Sequence, residues 1–388
     1  MNFKSLFGLS MCAMIVSACS IDTQPNYFVT VDLPADRNNT MAYLLSWDDG
    51  AKIDSALVTG GQAKFSGHTG DPFIGRLVVD GARGPIFIVE QGEVNISPEG
   101  KVSGTPLNDK LTSDKARMNE LETEFGKLNT ADSIQSVQSE KLKNAYDSIP
   151  VRAYNENKGN TLGLYWFLQL AYEMDLAHID AALAADKSLA SSQRVKKLRE
   201  ARLALAETNE GKHYKDFTVT YDGKAEKFSD YVKPGRYTLV DFWASWCGPC
   251  IRQTKVIKEL YNRYKDSGLD VVGVAVWDEP ANTLKAIKSH GLDWPCIINA
   301  QNVPTDLYGI SGIPCIILIN PDGIIVSRDK QDQALIDDVD KAMADYAASQ
   351  EFTVPSENTV SVTPAAAAPK HAATDTATVT TTDNSVIF

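Results

Sequence analysis

Cys247 and Cys250 stand three apart in the run Trp246-Cys247-Gly248-Pro249-Cys250, where residue types and spacing together spell out a reaction. The run follows Tyr237 to Phe242, which reads as a buried strand. It precedes a helical pattern that opens at the first cysteine and continues to about Asp266. A helix N-terminus presents unpaired N–H groups and about half a positive charge. Both favour a thiolate, so Cys247 is expected to ionise below the ordinary ~8.5, toward ~7. Each unit of lowering is worth about 1.36 kcal/mol. The two residues between let the second thiol reach the first and close a small disulfide. The expectation is an exposed nucleophile at Cys247 and a more buried resolving thiol at Cys250. Such a couple exchanges two electrons with a disulfide and calls for no cofactor and no metal.

The longer string Asp241-Phe242-Trp243-Ala244-Ser245-Trp246-Cys247-Gly248-Pro249-Cys250 resembles the active-site motif of thioredoxin-like proteins, specifically the exported TlpA/ResA group. Gly312-Ile313-Pro314, just before a later apolar run, supports it. The resemblance covers roughly Tyr214 to Ala347. It implies an α/β thioredoxin-like domain in which Pro314 is cis, faces the disulfide and helps to hold extended substrate backbone. Trp246, Gly248, Pro249 and Ile313 would be its active-site neighbours. Asp241, six places before Cys247, matches the buried acid of thioredoxin. Burial would raise its pKa, and it would take a proton from the resolving thiol. Two departures stand out. Gln253 occupies the place of a Glu found in ResA-like proteins, and Val271 to Val276 lacks the lysine that thioredoxin sets beside its acid.

The elements that must position these residues follow from periodicity. After a polar linker, 27–104 reads as a small antiparallel β domain. Its strands are Tyr27 to Val31, Met41 to Trp47, Ala56 to Phe65, Arg76 to Val79 and Ile86 to Val89, separated by Gly-rich turns. The period then changes to helical over 105–211, with Met118, Leu121, Phe125 and Leu128 on one face and breaks at Pro150, 155–161 and 209–211. The thioredoxin-like domain spans 212–347. Its further strands read at Phe217 to Tyr221, Val271 to Val276, Ile316 to Ile319 and Ile324 to Val326, its further helices at Ala281 to His290 and Leu335 to Tyr346. The Thr-, Ala- and Pro-rich stretch 348–388 reads as disordered. The front of the chain also resembles the uncharacterised domain that precedes thioredoxin domains in many envelope lipoproteins. Ile53-Asp54-Ser55-Ala56, Gly60 to Gly67 and Gly104-Thr105-Pro106-Leu107-Asn108 carry that likeness.

Residues 1–18 read as a signal peptide, with Lys4 ahead of an apolar run from Leu6 to Val16. Val16-Ser17-Ala18-Cys19 resembles a bacterial lipobox. It implies cleavage before Cys19, diacylglycerol on its thiol and a further acyl chain such as palmitate on its amine, with 19–26 as lipidated cysteine and linker. Several chains, at roughly 0.8 kcal/mol per buried methylene, hold a protein on a membrane. The expected location is the cell envelope, facing the periplasm; Ser20 favours the outer membrane under the sorting rule of that class.

The formal net charge of −12 and the lack of a basic stretch argue against nucleic acid as a partner. Five scattered histidines argue against a His-built metal site. Three rival readings compete. A Cys₄ zinc site from Cys247, Cys250, Cys296 and Cys315 lacks a second C-x-x-C. A thiol peroxidase of related fold would want a threonine where Ala244 stands. A non-enzymatic binding or sensing lipoprotein would have little need of both motif cysteines. The reading is therefore a membrane-anchored envelope oxidoreductase that reduces protein disulfides; apocytochrome c, other misoxidised proteins and a sensor partner all fit as substrate, and the sequence does not choose among them. The resemblance implies electrons from a membrane thiol carrier of the DsbD/CcdA type. For Cys296 and Cys315, separate buried thiols rank first, a second disulfide next, and exchange of Cys315 with the motif pair last.

Overall fold

The computed structural model describes residues 24–128 and 133–351. The proposed signal peptide, Cys19 and residues 352–388 lie outside the described residues. Eight strands come first: β1 (Tyr27–Asp32), β2 (Met41–Ser46), β3 (Lys52–Leu57), β4 (Gln62–Gly67), β5 (Phe73–Val79), β6 (Ala82–Val89), β7 (Gly92–Ile96) and β8 (Val102–Ser103). They form two four-stranded sheets, ordered β4-β1-β7-β8 and β3-β2-β5-β6. Alternating residues such as Val29, Val31, Leu44, Phe65, Phe87 and Val94 meet in one core. The run Ala56 to Phe65 is two strands rather than one, because Gly60 and Gly61 take positive φ and turn the chain from β3 in one sheet to β4 in the other. All pairings but one are antiparallel; β1 and β7 run parallel.

Five helices follow: α1 (Pro106–Phe125), α2 (Ser133–Glu156), α3 (Thr161–Leu170), α4 (Leu176–Ala185) and α5 (Gln193–Glu207). The break expected at Pro150 does not occur; α2 runs through it. Ile149, Ala153 and Tyr154 are buried on either side of the proline. Packing at these positions outweighs the roughly 3 kcal/mol that an interior proline costs. Side-chain caps open the later helices: Asn160 on α3, Asp175 on α4 and Ser192 on α5. Among the described residues no helix is long and apolar enough to cross a membrane.

The last part is β9 (Thr218–Tyr221), β10 (Lys224–Lys227), β11 (Tyr237–Trp243), α6 (Gly248–Tyr264), β12 (Leu269–Ala275), α7 (Pro280–His290), β13 (Cys296–Ile297), α8 (Val303–Tyr308), β14 (Cys315–Ile319), β15 (Ile325–Arg328) and α9 (Asp332–Glu351). The sheet order is β13-β12-β11-β14-β15, parallel on the β12 side of β11 and antiparallel on the β14 side. This is a thioredoxin-like fold. β11 is central and buried, so its alternate residues pack on opposite faces. Leu239 meets Ile257 and Leu260 of α6 and Val339 of α9, whereas Val240 and Phe242 meet Phe217, Phe228 and Tyr308. The helical region docks onto this domain through α5 and α8. A Cβ on Gly309, just after α8, would stand 2.2 Å from the Ala201 carbonyl oxygen.

Candidate active site

β11 delivers the chain to the bend Ala244-Ser245-Trp246, and α6 starts one residue later with Cys247 as its N-cap. Pro249 stands in the first turn, where a missing N–H costs nothing. Cys247 and Cys250 are joined by a disulfide with Cα atoms 5.2 Å apart, and the Cys250 N–H points at Cys247 Sγ at 3.2 Å. The Ile313–Pro314 peptide bond is cis, and Cys247 Sγ lies 3.7 Å from the Ile313 carbonyl oxygen. The motif and the Gly312-Ile313-Pro314 turn, 66 residues apart in sequence, thus meet in the fold.

One expectation needs correction. Cys247 is not exposed in the disulfide form; its accessibility is 4%. Ile313 packs against it, and Trp246, Gly248 and Pro249 form the exposed rim around it. Trp246 is 61% exposed, tied down by its indole N–H donating to the Trp277 carbonyl oxygen at 3.0 Å. The covering loop comes from 66 residues downstream, a contact that the local pattern does not carry.

Asp241 lies on the same face of β11 as Leu239 and Trp243, beneath the first turns of α6. It is 2% exposed, Oδ1 has no hydrogen-bond partner, and burial pushes its pKa up to about 7. A carboxyl so placed is near half-ionised at neutral pH, the poise that suits a proton acceptor. Its register neighbour on β12 is Gly273, in line with the missing lysine. Gln253 is buried and reciprocally bonded to the start of α9. Its amide donates to Asp332 Oδ1 at 2.7 Å, and its oxygen accepts from the Asp332 N–H at 3.0 Å. It fastens α6 to α9 and offers no acid.

Cys296 on β13 and Cys315 on β14 are separated by β12 and β11. Three strand spacings amount to about 14 Å, twice what a disulfide spans. Both are free thiols, Cys315 fully buried and Cys296 partly so. The same separation removes the Cys₄ zinc arrangement. Cys315 pairs with Phe242 and packs with Tyr308, on the face turned away from α6. Burial raises its pKa well above the usual thiol range.

Sequence reasoning missed Asp278. This buried carboxylate follows β12 and accepts from the Ser245 N–H at 2.8 Å, the Ser245 hydroxyl at 2.9 Å, the Glu279 N–H at 2.9 Å and the Thr283 hydroxyl at 2.7 Å. It pins the bend that aims Cys247 to the start of α7. An acid followed by Glu279-Pro280 at a helix opening was the available signal.

The AhpC/TSA family model matches residues 211–328, and a domain of unknown function (DUF4369) matches residues 27–111. Thiol-disulfide oxidoreductase ResA of Geobacillus thermodenitrificans is 30% identical over 109 residues, 28% of this chain and 62% of that protein. The ResA of Bacillus subtilis is 30% identical over 105 residues, 27% of this chain and 58% of that protein. The chain thus spans about three fifths of the length of these curated relatives. Among solved structures, the thioredoxin domain of a thiol-disulfide oxidoreductase from Bacteroides vulgatus is 27% identical with a TM-score of 0.29, covering 38% of this chain and 99% of that one. A thiol-disulfide oxidoreductase from Bacteroides fragilis is 28% identical with a TM-score of 0.31, covering 34% and 98%. Fold, site geometry and relatives converge on 211–328 as a thioredoxin-like domain similar to ResA-type oxidoreductases.

Proposed function

We propose that the protein is an envelope thiol–disulfide oxidoreductase, lipid-anchored at Cys19, that reduces disulfides in exported proteins. The observation that carries the redox chemistry is the Cys247–Cys250 pair at the N-terminus of α6, facing the cis Ile313–Pro314 bond; the anchor rests on the lipobox-like Val16-Ser17-Ala18-Cys19. In the reduced form the Cys247 thiolate attacks one sulfur of a substrate disulfide and expels the other as thiolate. Cys250 then loses its proton to the Asp241 carboxylate and attacks Cys247. The Cys247–substrate bond breaks and the second substrate thiolate leaves. Two electrons pass to the substrate, and the enzyme ends as the disulfide seen here. The Gly-Pro between the cysteines resembles thioredoxin, which favours a potential nearer about −270 than −120 mV. Turnover then needs a membrane thiol donor of the DsbD/CcdA type, and apocytochrome c is one substrate class that fits.

A thiol peroxidase is the second reading, because the AhpC/TSA match does not separate it and peroxiredoxins share this fold. Ala244, in place of the expected threonine, speaks against it. The deciding experiment compares insulin reduction with hydrogen peroxide consumption. We expect insulin reduction that disappears in Cys247→Ser, and envelope mixed disulfides that accumulate on Cys250→Ser. Wild-type insulin reduction by Cys247→Ser would overturn the proposal.

A further inference from the structure

The sheet row that carries Asp241 holds another polar group that exchange at Cys247 and Cys250 does not use. Asp241 is in register with Gly273 on β12, and Gly273 with Cys296 on β13. Register partners on parallel strands project to the same face. The Asp241 carboxyl and the Cys296 thiol therefore flank a residue without a side chain. A Cβ on Gly273 would stand 2.8 Å from Cys296 Sγ and 3.0 Å from Trp243 Nε1, so thiol and indole already occupy that space. Trp243 Nε1 is buried without an acceptor, and Asp241 Oδ1 is buried without a donor. The Cys296 thiol makes a long contact, 3.8 Å to the Trp294 carbonyl oxygen, and a thiol is a weak donor. The thiol and the indole N–H thus border the Gly273 position, and the Asp241 carboxyl is its register neighbour on β11; all three are short of good partners.

We infer that Cys296 and Trp243 form the donor side of the Asp241 proton site, as positioning residues that set the pH at which Asp241 gives up its proton. With Asp241 protonated, the Cys296 S–H rests on the Trp294 carbonyl. Neither donor reaches Oδ1 in the resting geometry; with Asp241 ionised, small rotations of the Cys296 and Asp241 side chains bring the S–H to the carboxylate, and the indole N–H closes on it as well. Hydrogen bonds to an ionised acceptor are roughly twice as strong as neutral ones, so both donors favour the carboxylate. Burial and the neighbouring Asp241 push the Cys296 thiol up to about 12, which keeps it a neutral donor throughout the titration of Asp241. The other groups packed around this face oppose nothing. From α6 come Cys250 and Gln253, the latter held by Asp332 of α9. β12 brings Val271, Gly273 and Ala275; β14 brings Ile316, with Cys315 on the reverse face.

The consequence for turnover rests on the thiol–disulfide reading: a carboxylate that ionises more readily accepts the Cys250 proton at lower pH. The test reads Asp241 directly, by infrared difference titration of the oxidised full chain against Asp241→Asn. Cys296→Ala should raise the Asp241 midpoint by about half a pH unit, a threefold change in proton affinity. Cys296→Ser keeps a donor in nearly the same volume and should hold the midpoint at or below the wild-type value. The pH profile for resolving a mixed disulfide should move with the midpoint. An unchanged midpoint in Cys296→Ala, or equal shifts in the alanine and serine variants, would overturn the inference. A shifted midpoint in a protein that reduces no disulfide would retain the inference and remove the proposed activity; full activity with an unshifted midpoint would do the reverse.

Discussion

Replacing Asp241 with asparagine should change how stability depends on pH. The carboxyl has an ordinary value of 3.8 and is pushed up to about 7 in the folded protein, with burial as the cause. Between those values the folded chain keeps a proton that the unfolded chain releases. Stability therefore falls as pH rises through that window and is flat beyond both ends, the opposite of a carboxylate in a salt bridge. A gap of about three units at 1.36 kcal/mol each makes Asp241 a liability of about 4 kcal/mol above pH 7. An asparagine side chain at this position cannot ionise and lacks this slope. Its buried amide carries a desolvation cost of roughly 1–3 kcal/mol, but that cost is independent of pH and only displaces the curve. Urea unfolding of oxidised wild-type and Asp241→Asn proteins, followed by near-ultraviolet circular dichroism, isolates the effect. The variant should gain about 4 kcal/mol relative to wild type between pH 4 and pH 8. A difference that stays constant over that range would refute the burial argument. In the reduced enzyme the same substitution should slow resolution of the mixed disulfide by about a hundredfold at pH 7, the lower end of general-base contributions.

Asp278→Ala leaves the Ser245 and Thr283 groups without their acceptor; we expect a loss of about 3 kcal/mol, measured by denaturant unfolding, and less than about 1 would show the bend to be held otherwise. Cys19→Ser should give an unprocessed or soluble exported protein; mature-sized protein that still sediments with membranes after a high-salt wash would end the lipid-anchor proposal.

The redox motif was legible because its geometry is local. A strand, a short bend and a helix opening at Cys247 are encoded within sixteen residues, Tyr237 to Arg252. The β character of the front and the helical stretch behind it were legible from their periods. What the sequence did not display depends on contacts between distant segments. A period of two marks β1 and β7 as strands but says nothing of partner or direction, so their parallel pairing was not foreseen. Burial of Cys247 comes from a loop 66 residues away. Asp278 reaches back 33 residues to Ser245. The break read at Pro150 failed for the same reason: propensity speaks for one residue, whereas its buried neighbours answer to the core.

The helical region is more than a spacer between the N-terminal sheets and the redox domain, and Arg328 shows why. This buried side chain at the end of β15 donates to the Thr208 carbonyl just past α5 and to the Tyr308 carbonyl at the end of α8, both at 2.8 Å. Helix C-termini leave carbonyls unsatisfied and carry partial negative charge, so one planar guanidinium serves two helix ends at once. Tyr308 in turn donates its hydroxyl to the Lys215 carbonyl at 2.6 Å. The chain then passes through Gly309, where α5 leaves no space for a side chain, and four residues later reaches Ile313 beside Cys247. The loop that faces the disulfide is therefore anchored at its upstream end by a helix from outside the thioredoxin-like domain. Any shift of α5 must be accommodated between Gly309 and Ile313, because the Arg328 contacts fix Tyr308 to both α5 and β15.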